Sequence, residues 1–84
     1  MKVSEQDFKY MTEALTSDLI QMFIDRHHCS LAEAVNTVYN SKIYEALLRP
    51  SSALYFKSPG YLYQYLENEI KTHAGMINAN FNVN

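Results

Sequence analysis

One cysteine, two glycines, two prolines and no surplus of basic charge set the first limits on this 84-residue chain. A lone Cys29 excludes an internal disulfide, which fits a reducing compartment. The N-terminal MKVSEQDFKYM lacks the apolar segment of a secretory signal. No apolar run approaches the roughly 18 residues that a membrane span requires. The expectation is a cytoplasmic protein without a membrane partner. A net charge of −2 leaves no basic excess to neutralise phosphates, which argues against a nucleic-acid partner. No glycine-rich phosphate loop, CxxC, HExxH or internal repeat occurs. Both glycines lie after residue 59, so most of the chain is free of helix breakers.

What is present suits one small helical domain. Apolar residues make up 48%, ample for a core, while charged residues at 19% fall below the usual quarter, so the surface is poor in charge. Below about 70–80 residues a single core supplies roughly 3–5 kcal/mol, and such domains gain from association. The expected organisation is a helical domain over residues 1–74, with a flexible polar tail over 75–84 (MINANFNVN carries four asparagines and no charge).

The pattern predicts an all-α fold, a compact domain of four helices with a short extended link before the last. Ser4 caps the first helix, in which Phe8, Met11, Leu15, Leu19, Met22 and Phe23 recur at three- and four-residue steps. A break is expected near Thr16-Ser17-Asp18, and Arg26, His27 and His28 suit the carbonyl end. SLAE gives the second helix a capping box, Ser30 with Glu33, ahead of a stripe of Leu31, Ala34, Val35, Val38 and Tyr39. Ser41 caps a short third helix with Ile43, Tyr44, Leu47 and Leu48 inward, stopped by Pro50. In residues 51–57, Leu54 and Phe56 alternate with Tyr55 and Lys57, which suits an extended piece. Ser58 and Pro59 open the fourth helix, Leu62, Leu66 and Ile70 form its inner face, and Gly75 is its expected stop.

Candidate chemistry is sparse. His27-His28-Cys29 is the one cluster of metal-ligand types, but adjacent helical residues diverge by about 100° and rarely share a metal. Cys29 beside His28 has no orienting third group, and Glu67 and Glu69 point to different faces of one helix. The expectation is a non-enzymatic protein with no metal, cofactor or catalytic residue. The second and third helices, joined at Asn40-Ser41, have the spacing of a helix-turn-helix, and a small DNA-binding regulator is the alternative reading. SKIYEALLR, however, sets Lys42 and Arg49 against Glu45 and offers no Asn or Gln cluster to read base edges.

Tyrosine is the signal that stands out. Of seven, Tyr55, Tyr61, Tyr63 and Tyr65 fall within eleven residues, next to Phe56. A core with hydroxyls at its rim accounts for Tyr39, Tyr44 and Tyr61. It does not account for Tyr61, Tyr63 and Tyr65 together, because steps of two turn a helix by about 200°. Tyrosine favours interfaces, so the expectation is a contact surface of Tyr55, Phe56, Tyr61, Tyr63 and Tyr65, used to form a homo-oligomer or to bind another protein. Tyr63 is expected to be the outward ring at the centre of a two-fold homodimer contact.

The run SLAEAVNTVYNSKIYEALL, followed by LYFKSPGYLYQYLENEI, resembles a group of short, mostly helical bacterial proteins of unknown function. The likeness covers Asp18 to Ile70 and lies in an EA helix, a YNS turn, an LY…SP link and a YLYxYLxxE helix. It implies a small helical fold and an antitoxin-like or regulatory role, and it carries over no functional residue.

Overall fold

Ser4 opens α1 (Glu5–His27): its hydroxyl accepts the Asp7 N–H at 3.1 Å, and Glu5 and Asp7 face the positive end of the helix dipole. The computed structural model describes residues 3–83, with side chains described over residues 3–72. α1 runs unbroken for 23 residues, through the expected break at Thr16-Ser17-Asp18. The reason lies in two buried threonines. The Thr12 hydroxyl donates to the Lys9 carbonyl at 3.0 Å, and that of Thr16 donates to the Thr12 carbonyl at 2.6 Å. Bonded back to its own helix, a threonine buries its methyl without leaving a hydroxyl unpaired. His28 ends the helix in the left-handed region, φ 53°, a conformation histidine adopts more readily than most residues, with its N–H donating to Ile24 O at 2.7 Å.

α2 (Leu31–Tyr39) has the expected capping box, with Glu33 N–H to Ser30 Oγ and Ser30 N–H to Glu33 Oε1 both at 3.1 Å. α3 (Lys42–Leu47) starts at Ser41, whose hydroxyl accepts the Tyr44 N–H. Six residues are too few for a helix to hold itself. Glu69 of the last helix supplies the missing acceptors: its Oε1 takes the Lys42 N–H at 2.7 Å and its Oε2 the Ile43 N–H at 2.8 Å.

The link before the last helix is not extended. It forms two 3₁₀ turns, Pro50–Ser52 and Leu54–Phe56, joined at Ala53 with φ 59°. Ser52 folds it up: its hydroxyl lies 2.8 Å from the carbonyls of Ala46 and Arg49 and accepts the Leu54 N–H at 3.2 Å. Local serine bonding of this kind competes with an extended backbone. α4 (Pro59–Val83) begins as expected, with the Tyr61 N–H donating to Ser58 Oγ at 3.2 Å. It continues past Gly75, where a stop was expected; glycine inside a helix costs about 1 kcal/mol relative to alanine and does not by itself end one. The polar tail expected over 75–84 lies outside the residues whose side chains are described.

The fold is thus all-α, four helices with no strand among the described residues. Its core joins Leu15, Leu19 and Phe23 of α1 to Ala34 and Val38, Ile43 and Leu47, and Leu62, Tyr63 and Leu66 of α4. Leu19, Leu47, Leu62 and Leu66 are wholly buried, so truncating any one to alanine costs roughly 2–5 kcal/mol. No helix among the described residues is long and apolar enough to cross a membrane.

Candidate protein-interaction surface

The five aromatic residues singled out in the sequence divide into three groups. Phe56 and Tyr65 are exposed, at 61% and 43%. Tyr55 and Tyr61 are half-buried against the core. Tyr63 is buried, 4% exposed, which corrects its expected place as the outward ring of a contact. At about 100° per residue, Tyr63 lies roughly 60° from Leu66 and so falls on the edge of the inner face. Its spacing from Tyr61 and Tyr65 alone does not show this, because Tyr61 is itself half-buried and only Tyr65 is exposed.

Internal contacts hold the exposed rings in place. Tyr55 meets Phe8 of α1 edge-on at 5.0 Å and Phe56 at 4.4 Å between centroids. Tyr61 and Tyr65, one turn apart, pack edge to face at 5.3 Å with hydroxyls 3.4 Å apart. The Lys57 ammonium sits 5.1 Å from the Tyr61 ring centroid, a cation–π contact. Hydrogen bonding to Tyr61 holds the Tyr65 hydroxyl above its ordinary pKa.

Tyr63 belongs instead to a polar cluster between α1 and α4. Its hydroxyl donates to Glu67 Oε1 at 2.7 Å, and His27 Nε2 lies 2.5 Å from the same oxygen. The Arg26 guanidinium covers the Tyr63 ring at 5.7 Å, and His27 stacks on Phe23 at 4.2 Å. Burial, then the bond to Glu67, pushes the Tyr63 hydroxyl well above the usual tyrosine range. Burial also pushes the Glu67 carboxyl up, but the bonds from Tyr63 and His27, with the charges of His27 and Arg26, outweigh it and leave Glu67 below its ordinary value. The cluster fastens the end of α1 to α4. His27, His28 and Cys29 part company here: His27 turns to Glu67, His28 is the helix cap, and Cys29 packs half-buried on the core. Among the described residues no three His, Cys, Asp or Glu side chains converge on a site for a metal ion.

A second apolar surface was missing from the sequence reading. Leu31 and Tyr39 of α2 and Leu48 after α3 were expected to face inward, yet they are 64%, 53% and 45% exposed. They border a groove of about 490 Å³ whose opposite wall is a polar strip of α1, with Lys9, Glu13, Ser17 and Gln21. Tyr44 stacks on Tyr39 at 4.8 Å, and with Ile20 it lines the groove. Burial, followed by the neighbouring Tyr39 and Glu13, holds the Tyr44 hydroxyl above its ordinary pKa. Leu31 opens α2 and Leu48 caps the end of α3, so each has its own helix on one side only. Spacing alone does not separate them from Leu47, which closes α3 and is wholly buried.

No protein-family model, curated protein or solved structure was found to match this chain.

Proposed function

We propose that this chain is a non-enzymatic protein-interaction module of the bacterial cytoplasm that self-associates as a homodimer through the exposed part of its aromatic set. The observation that carries the reading is the exposure of Phe56 and Tyr65 on elements fixed from beneath. A ring already held in one conformation loses little entropy when a partner covers it. The chain is small, its surface is poor in charge, and a helical body of this size gains from association. Without Tyr63, the contact rests on Phe56 and Tyr65, supported by Tyr55 and Tyr61.

The helix-turn-helix alternative has less in its favour. α3 is six residues long, and its first two amides are already held by Glu69. A carboxylate at the start of a would-be recognition helix repels phosphate and occupies the donors that phosphate would use.

Sedimentation equilibrium on the wild type and on Phe56→Ser/Tyr65→Ser tests the proposal. The expected outcome is a wild-type dimer whose dissociation constant rises at least about 30-fold in the double variant. A wild type that stays monomeric at high micromolar concentration rules the homodimer out.

A further inference from the structure

We infer that Ala53 is a strained hinge and that α4 exchanges between two copies of this chain, each α4 seating in the cradle that α1 and α3 of the other copy provide. The fit of this occupant is the one the structure already displays. α4 docks through the buried Leu62, Tyr63 and Leu66, the Glu67 contact with His27 and the Glu69 bonds to the α3 amides. Tyr55, just after the hinge, meets Phe8 of α1. All of these join residues beyond Ala53 to residues before it. A second copy's segment from Leu54 onward therefore makes each of them unchanged, which is the condition for exchange of an identical element between protomers.

The hinge itself favours opening. Ala53 holds φ 59° and ψ 17°, in the left-handed region. For an alanine that conformation is worth about a 5- to 30-fold change in an equilibrium constant. Its side chain is exposed and has no polar group to bond the backbone, so nothing local offsets the strain. Arg49, ahead of Pro50, is already extended at φ −96° and ψ 113°, as a residue before proline prefers. Straightening gives up turn bonds such as Ala53 N–H to Pro50 O and Phe56 N–H to Ala53 O, made by exposed residues where water replaces them. A short link holds α4 over its own cradle at an effective concentration of about 1 mM, and with all other contacts equal this sets the dissociation constant of an exchanged dimer. Two relieved hinges, together roughly 30- to 900-fold, bring that constant into the micromolar range. The exchange requires neither Phe56 nor Tyr65.

The test is sedimentation equilibrium on the wild type, Ala53→Gly and Ala53→Val, with helical circular dichroism to check that each is folded. Ala53 is exposed, so neither substitution enters the core. Glycine occupies the left-handed region freely, and valine is a poorer occupant than alanine. The dissociation constant is expected to rise at least about 30-fold in Ala53→Gly and to fall below the wild-type value in Ala53→Val. Isotope-filtered NMR on a refolded mixture of labelled and unlabelled Ala53→Val reads the exchange directly. The Arg26 guanidinium lies 5.7 Å from the Tyr63 ring centroid, and this contact between α1 and α4 should appear between chains. The inference is overturned if that contact stays within one chain, if the three dissociation constants are equal, or if all three proteins are monomeric at high micromolar concentration. Association that ignores Ala53 and is lost in Phe56→Ser/Tyr65→Ser leaves the aromatic contact standing and removes the exchange. Association that follows Ala53 and survives Phe56→Ser/Tyr65→Ser leaves the exchange standing and removes the aromatic contact.

Discussion

Two glutamates on α4, Glu67 and Glu69, hold the protein together by different means. Glu69 places both oxygens on backbone amides of α3, at 2.7 and 2.8 Å. Glu67 places one oxygen on two side chains, the Tyr63 hydroxyl and the His27 ring. Residues two apart on a helix point about 200° from each other. One carboxylate therefore reaches the start of α3 and the other the end of α1, with α4 lying between. The comparison shows two kinds of tether. An amide N–H carries its proton at every accessible pH, so the Glu69 tether rests on fixed donors. The Glu67 tether depends on what its partners can donate.

Breaking the backbone tether has the larger expected effect. Glu69→Ala leaves two amides at the start of α3 without acceptors, and a six-residue helix has little else to hold its first turn. Charge-assisted bonds of this type contribute about 1.5–3 kcal/mol each when buried. Lys42 is exposed and water can replace part of the loss, so a drop of about 2 kcal/mol in unfolding free energy is expected from urea melts. A loss below about 0.5 kcal/mol would mean that Ile43 and Leu47 dock α3 by packing alone.

Neither tether was legible in the sequence, although most of the fold was. The caps at Ser4, Ser30, Ser41 and Ser58 could be read because donor and acceptor lie three residues apart. Helix periodicity likewise marked Leu15, Leu19, Val38, Leu62 and Leu66 as core. The tethers join residues 26 to 40 positions apart, and no local pattern connects His27 with Glu67 or Lys42 with Glu69. The aromatic set was half legible for a related reason. Spacing shows which rings share a face of α4, but it does not show which face the other helices cover, and Tyr63 was assigned to the wrong side. Leu31, Tyr39 and Leu48 erred in the opposite direction, because a stripe of apolar residues says nothing about whether the ends of two short helices are roofed. Ser52 hid the link in the same way: alternation of Leu54 and Phe56 suggested a strand, and one hydroxyl bonded to three backbone groups made turns.

Tyr63→Phe sharpens the comparison from the side-chain end. The ring stays packed in the core while Glu67 loses one donor. A loss of about 1 kcal/mol is expected, the usual net worth of one hydrogen bond. The measurement is the shift in urea midpoint at neutral pH with an unchanged slope. A variant as stable as the wild type would assign the whole contribution of Tyr63 to its buried ring.

Glu67→Gln has the smallest expected effect at neutral pH and the most specific signature. Glutamine keeps an oxygen for the Tyr63 hydroxyl and loses the charge. The pair with His27 is part-exposed, which limits the loss to roughly 0.2–1 kcal/mol at pH 7. The pH dependence separates charge from packing. The folded Glu67 carboxyl sits below its ordinary value of 4.5, because the bonds from Tyr63 and His27 and the charges of His27 and Arg26 outweigh the opposing effect of burial. A lowered folded value means that the unfolded chain takes up the proton first. The stabilisation is therefore present above about pH 4.5 and disappears as pH falls through the folded value. Other carboxylates titrate over the same range, so the informative quantity is the difference between wild type and Glu67→Gln, from urea melts at pH 6 and at pH 3. The wild type should be the more stable at pH 6, with the gap shrinking at pH 3. A gap that stays constant across that range would show that the Glu67 charge contributes nothing and that the side chain acts by shape alone.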